Sequence, residues 1–120
     1  QLDVFFVTLN KADKDYSPTT MYNDYSISES LFHWQSQSTT AENSPTGQRY
    51  IHHRERGSKV LLFVREFKSD RMTGGAEAYT YLGTASYVKH EGSRPMNITW
   101  KLDRPIPAKF LKKTNKLAVG

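Results

Sequence analysis

At 120 residues, 37% hydrophobic and 24% charged, the chain has the size and composition of one folded domain (residues 1–120) with a lean core, not of a disordered tail. It contains no cysteine, which excludes a disulfide framework, a thiolate metal site and a cysteine nucleophile, and no run of about 18 apolar residues that would cross a membrane as a helix. Seventeen lysines and arginines against twelve acids give a net charge of +5 and a pI near 9.5, a balance that favours anionic partners, nucleic acid first among them.

Residues 4–9, VFFVTL, are a continuous apolar run of strand formers and predict a buried strand. The run stands so near the start that the chain reads as a piece of a longer polypeptide, and QLDVFF lacks the pattern of a signal peptide, in keeping with a cytoplasmic location. NKADKDYSPTT breaks the strand with Asn, Asp, Ser and Pro. MYNDYSISES (21–30) has no clean period and reads as a loop or short irregular strand leading into LFHWQSQS. In that strand Phe32, Trp34, Ser36 and Ser38 share one face, and Leu31, His33, Gln35 and Gln37 the other. Neither face is a plain core, so the segment is either a mixed structural strand or the wall of a pocket.

After a polar connection, SPTGQRYIHHRERG predicts a short helix that starts at Ser44 or Thr46 beside Pro45 and stops at Gly57. Tyr50 and Ile51 would face the core, and Arg49, His52, His53, Arg54 and Arg56 would form an outward basic face. KVLLFVREF is the clearest strand, with Val60, Leu62 and Val64 on one face and Leu61 and Phe63 on the other, apolar enough on both for a central position. A turn around Gly74-Gly75 returns the chain as AYTYLGTASYV, paired antiparallel, with Tyr79, Tyr81 and Tyr87 on one parity and Gly83 as a bulge or bend. MNITWKLD alternates with Met96, Ile98, Trp100 and Leu102 inward, which makes Trp100 the core tryptophan. Pro105 and Pro107 end it, and AKFLKKTNKL supports a short basic terminal helix. About five strands and two short helices predict an α+β fold, a small, curved, mostly antiparallel β-barrel.

No nucleotide-binding glycine pattern, metallopeptidase helix or nucleophile elbow occurs. His52 and His53 are adjacent, so on a helix they point about 100° apart, which suits solvent or phosphate contact better than a shared metal. The sequence offers no catalytic constellation, no metal site and no cofactor. The aromatics are more informative. Tyr16, Tyr22, Tyr25, Phe32, Trp34, Tyr79 and Tyr81 stand among short polar residues, where they would either recognise a planar heterocycle or line a small barrel with hydroxyls at its rim.

The segments SPTTMYNDYSISESLFHWQSQ, SPTGQRYI, VLLFVRE, YTYLGTASYVKHEG and PMNITWKLDRPIPAKFLKK resemble the C-terminal domain of unknown function found in large bacterial helicase-type proteins. Those proteins join a phospholipase-D-like nuclease domain to a superfamily-two helicase motor, as in modified-cytosine-dependent type IV restriction enzymes of the SauUSI type. The resemblance implies a target-recognition domain with an SRA- or PUA-like barrel, which flips a 5-methyl or 5-hydroxymethyl cytosine out of double-stranded DNA into an aromatic pocket. It also implies helicase and nuclease domains in the same polypeptide as partners, and binding without catalysis in this part. On that reading Trp34 with Tyr22 or Tyr25 contacts the base plane, Phe32 supports them and Asp24 accepts from the exocyclic amine. Gln35, Ser36 and Thr20 address the remaining ring positions. Arg49, His52, His53, Arg54, Arg56 and Lys89, with Lys11 and Arg71, hold phosphates. Two alternatives stay open: a protein-interaction or dimerisation module of the helicase, and a PUA-like domain for modified RNA.

Overall fold

The computed structural model describes residues 1–10, 24–69 and 72–111. Lys11, Thr20, Tyr22 and Arg71, and the part of the expected terminal helix past Leu111, lie outside the described residues. Within them run strands β1 (Leu2–Asn10), β2 (Tyr25–Ser26), β3 (Leu31–Gln35), β4 (Lys59–Phe67), β5 (Thr80–Glu91) and β6 (Asn97–Leu102), and helix α1 (Pro45–Ile51). Residues 108–111 add a helical turn. The strands form one mixed sheet in the order β1-β4-β5-β6-β3-β2. Only β1 and β4 pair in parallel; every other neighbouring pair is antiparallel. The sheet curls into a half-barrel, the small α+β architecture the sequence predicts. Phe5 on β1 and Trp34 on β3 show how far it curls. Three strands separate them in the sheet, yet their rings stack with centroids 4.1 Å apart and planes 5° from parallel.

Two bulges in β5 accompany the curl. Leu62 pairs with Gly83 and Phe63 with Tyr81, so Leu82 is an extra residue, and a second shift falls between Tyr87 and Lys89. Gly83 sits at φ +105°, where a side chain would be strained, and a Cβ there would stand 3.1 Å from Nε of Arg104. A bulge also resets side-chain alternation. Tyr79 and Tyr81 lie exposed on the outer face, whereas Tyr87 turns inward against Trp100, so the parity predicted for the three tyrosines does not survive Gly83.

The concave side holds the core. Met96, Ile98, Trp100 and Leu102 are all buried as their alternation predicts, and Val60, Leu62 and Val64 face them from β4. The strand predicted as buried at 4–9 is instead the sheet's edge. Phe5, Val7 and Leu9 enter the core, while Leu2, Val4 and Phe6 are exposed, because the described residues cover the sheet on one side only. Helix α1 begins where predicted. Ser44 is its N-cap, its Oγ accepting from the Gly47 N–H at 3.0 Å and donating to the Ala41 carbonyl at 2.7 Å, with Pro45 in the first turn. It ends at Ile51, short of the predicted stop. Residues 52–57 are turns, and Gly57, at φ +71°, closes those turns instead of the helix.

Candidate functional site

The half-barrel is open between β1 and β3, and the opening is a cleft of about 500 Å³. That volume falls within the roughly 300–1,000 Å³ typical of small-ligand sites. One wall is residues 3–6 of β1, and the opposite wall is Trp34 at the end of β3. Tyr50 projects from α1 one turn after Thr46, and the connection between β3 and α1 contributes Gln37, Thr39, Thr40 and Ser44. The aromatic floor is ordered. Tyr50 stands edge-on to Phe5 at 5.5 Å and to Trp34 at 5.4 Å, with Trp100 beneath all three.

Asp3 carries the site's negative charge and is held by α1. Arg49 Nε and Nη2 each donate to one Asp3 oxygen at 2.9 Å, a two-point bond that fastens the helix to β1. The hydrogen bond it donates to Asp3 raises the Arg49 pKa above its ordinary value, outweighing the opposing effect of burial. Tyr50 is also raised, first by burial and then by the nearby Asp3 charge, so its phenol remains a hydrogen-bond donor at neutral pH. Asp3 is not spent by this pairing, since each carboxylate oxygen has a second lone pair.

Of the residues predicted to contact a base, the structure places Trp34 in the cleft and the other described ones elsewhere. Phe32 is wholly buried in the core. Ser36 is buried beside β6, its Oγ accepting from the Met96 N–H at 2.8 Å and donating to the Gln37 carbonyl at 3.0 Å. Gln35 points to the other face, where Nε2 donates to Asn97 Oδ1 at 3.1 Å. Asp24 is buried, with Oδ1 accepting from the Gln35 N–H at 2.8 Å. Tyr25 stacks on His33 with centroids 4.6 Å apart. His33 alternates with Phe32 and Trp34, so Tyr25 and Trp34 lie on opposite faces of the sheet.

The predicted basic face is thinner than the sequence suggests. Arg54, Arg56 and Lys89 are exposed, but Arg49 is engaged with Asp3 and His52 Nδ1 lies 3.2 Å from Glu55. His53, predicted to point outward, is buried, because α1 stops at Ile51 and the turn that follows carries its ring inward, 5.6 Å from that of Trp100. The Tyr87 backbone N–H donates to His53 Nε2 at 3.1 Å, so the ring's hydrogen sits on Nδ1 and is donated to the Ser58 carbonyl at 3.1 Å.

Sequence reasoning missed Asp3, Phe5, Tyr50 and the hydroxyls at 39–46 as cleft residues. The density of Ser, Thr and Gln directly after Trp34 was the available signal. Nothing in the order of residues places β1 opposite it.

Among the described residues, no three His, Cys, Asp or Glu side chains gather as a metal site, and no helix is long and apolar enough to cross a membrane. The chain belongs to the family described as domain of unknown function DUF3427, whose model matches residues 3–113. No curated protein matches it.

Proposed function

We propose that this domain is the DNA target-recognition module of a larger helicase and nuclease protein of the type IV restriction kind, reading a modified cytosine flipped into the cleft beside Trp34. The observation that carries the reading is the cleft itself: an open site of nucleoside size with tryptophan and tyrosine at its floor, a fixed carboxylate on one wall and hydroxyls around its rim. An SRA- or PUA-like barrel is the corresponding reading of the half-barrel. The module acts in the cytoplasm and binds without cutting, the chemistry being left to the partner domains.

Flipping costs a few kcal/mol, and stacking on an aromatic side chain returns roughly 1–3 kcal/mol per base. Edge hydrogen bonds must supply the rest. Asp3, not the buried Asp24, accepts from the exocyclic amine, while Tyr50 and the hydroxyls of Thr39, Thr40 and Thr46 address the ring carbonyl and nitrogen. Trp34 is covered by Phe5 on one face and offers the rest of its ring to the base. Burying a methyl group contributes only about 0.8 kcal/mol, so shape must add to it for useful discrimination. Of the described residues predicted to hold phosphates, Arg54, Arg56 and Lys89 are exposed and would meet the DNA backbone.

The test is a binding panel of short duplexes that differ only in one cytosine, unmodified, 5-methyl or 5-hydroxymethyl, with a modified RNA of the same sequence as competitor. The wild-type domain is expected to prefer a modified duplex. Trp34→Ala should lose roughly 5- to 150-fold on that duplex, the affinity equivalent of one stacked base, and retain weak binding that falls steeply with salt. Equal affinity of the wild type for all duplexes overturns the reading, and preference for the RNA transfers it to the PUA-like alternative.

A further inference from the structure

The outer face of the sheet carries a feature that base recognition does not use. Phe6 on β1, Phe63 on β4 and Tyr81 on β5 stand in register across three strands, because Phe6 pairs with Phe63 and Phe63 with Tyr81. Their ring centroids are 5.1 Å and 4.9 Å apart, and Tyr79 joins the row at 5.1 Å from Phe6. Phe6 is 60% exposed and Tyr81 42%. A sheet face turned to water ordinarily alternates to polar side chains, and a continuous aromatic row there marks a contact surface. Each end of the row bears a cation. The Arg65 guanidinium lies 4.4 Å from the Tyr79 ring centre, fixed by bonds to Thr8 Oγ1 and the Glu77 carbonyl, and that of Arg104 lies 5.3 Å from the Tyr81 ring centre.

We infer that this face docks a protein segment, an amphipathic helix whose apolar stripe is flanked by carboxylates. The stripe covers the ring row and the carboxylates meet Arg65 and Arg104. Three observations select this occupant. The phenylalanines stack on each other and guanidinium groups lie over the tyrosines, so a base stacking on Tyr79 or Tyr81 would have to displace a cation. A second copy would bring the same arginines, on a chain of net charge +5, against this row. The chain's own segments outside the described residues do not match. Residues 112–120 hold three lysines and no acid, and 11–23 has Asp13 and Asp15 without an apolar repeat beside them.

Two synthetic helical peptides of about five turns test it, sharing one leucine stripe and differing only in flanks of Glu or Lys. Each is titrated into the 120-residue chain by calorimetry. The Glu peptide is expected to bind about tenfold tighter or more than the Lys peptide, the scale of a favourable against an unfavourable charge contact. Tyr81→Ser, a change at an exposed position that does not line the cleft, should abolish that binding, and Arg104→Glu should narrow or invert the preference, with the duplex panel unchanged in both variants. No binding of either peptide, equal binding of both, or binding indifferent to Tyr81→Ser overturns the inference. So does a concentration-dependent dimer that Tyr81→Ser removes, or a single-stranded oligonucleotide that Tyr81→Ser releases. Loss of duplex preference without loss of peptide binding would strike the cleft reading alone.

Discussion

Gly47 shows how one residue's role is invisible until packing is known. A Cβ there would run into the Ala41 carbonyl oxygen and stand 2.9 Å from that of Glu42 and 3.0 Å from Met96 Sδ. Alanine is the better helix former by about 1 kcal/mol, so propensity alone expects Gly47→Ala to stabilise α1. Overpacking against backbone that cannot yield reverses the sign, and the variant should lose about 1–3 kcal/mol in urea unfolding. A midpoint equal to or above wild type would mean that the 41–42 turn relaxes freely. At this scale the sequence was legible where a residue acts through its own backbone, as with the Ser44 cap and Pro45. It was opaque where the partner lies far along the chain. Asp3 reads as a surface acid until Arg49, 46 residues away, is seen to bind it, and His53 reads as a surface base until Tyr87 is seen above it.

At the scale of elements, regular alternation was a sound guide and its interruptions were not. The inward face of β6 was legible because Met96, Ile98, Trp100 and Leu102 keep one period against an unbroken neighbour, β3, although Thr99, read as outward, is buried as well. β5 could be recognised as a strand, yet the faces of its tyrosines could not, since each bulge exchanges inside for outside. Apolarity on both faces misplaced β1 as an interior strand, when its second apolar face, Leu2, Val4 and Phe6, lies exposed on the outer side of the sheet. Gly83 is the joint on which the curl of β5 turns. Gly83→Ala forces a side chain to φ +105° and against Arg104, and is expected to cost about 1–3 kcal/mol. The loss should appear as a lowered melting temperature together with weaker binding in the cleft, because the curl is what brings β1 to Trp34. A stable Gly83→Ala domain with unchanged near-ultraviolet circular dichroism of its tryptophans would show that the bulge is not needed to bend the sheet.

For the molecule as a whole, the curl gives one sheet two unlike faces: a concave one that holds core and cleft, and an outer one that carries the ring row. Tyr50 and Tyr87 both touch the Trp100 ring from the concave side, and they tie the integrity of that side to pH. Both phenols titrate above their ordinary value of 10.0 in the folded protein, each chiefly through burial, with Asp3 reinforcing the shift for Tyr50 and Glu42 for Tyr87. A raised folded pKa means that the folded state holds the proton when the unfolded chain has released it. Stability is therefore full below pH 10 and falls as pH rises through the folded values. Melting temperature followed from about pH 8 to about pH 11 should be flat at first and then decline. Tyr50→Phe should make the decline shallower, because phenylalanine keeps the ring packing and removes the ionising group. Phenolate absorbance offers an independent reading, in which Tyr50→Phe and Tyr87→Phe should each remove part of a late-ionising phase. A decline equally steep in Tyr50→Phe would place the alkaline weakness elsewhere, in groups other than the Tyr50 phenol.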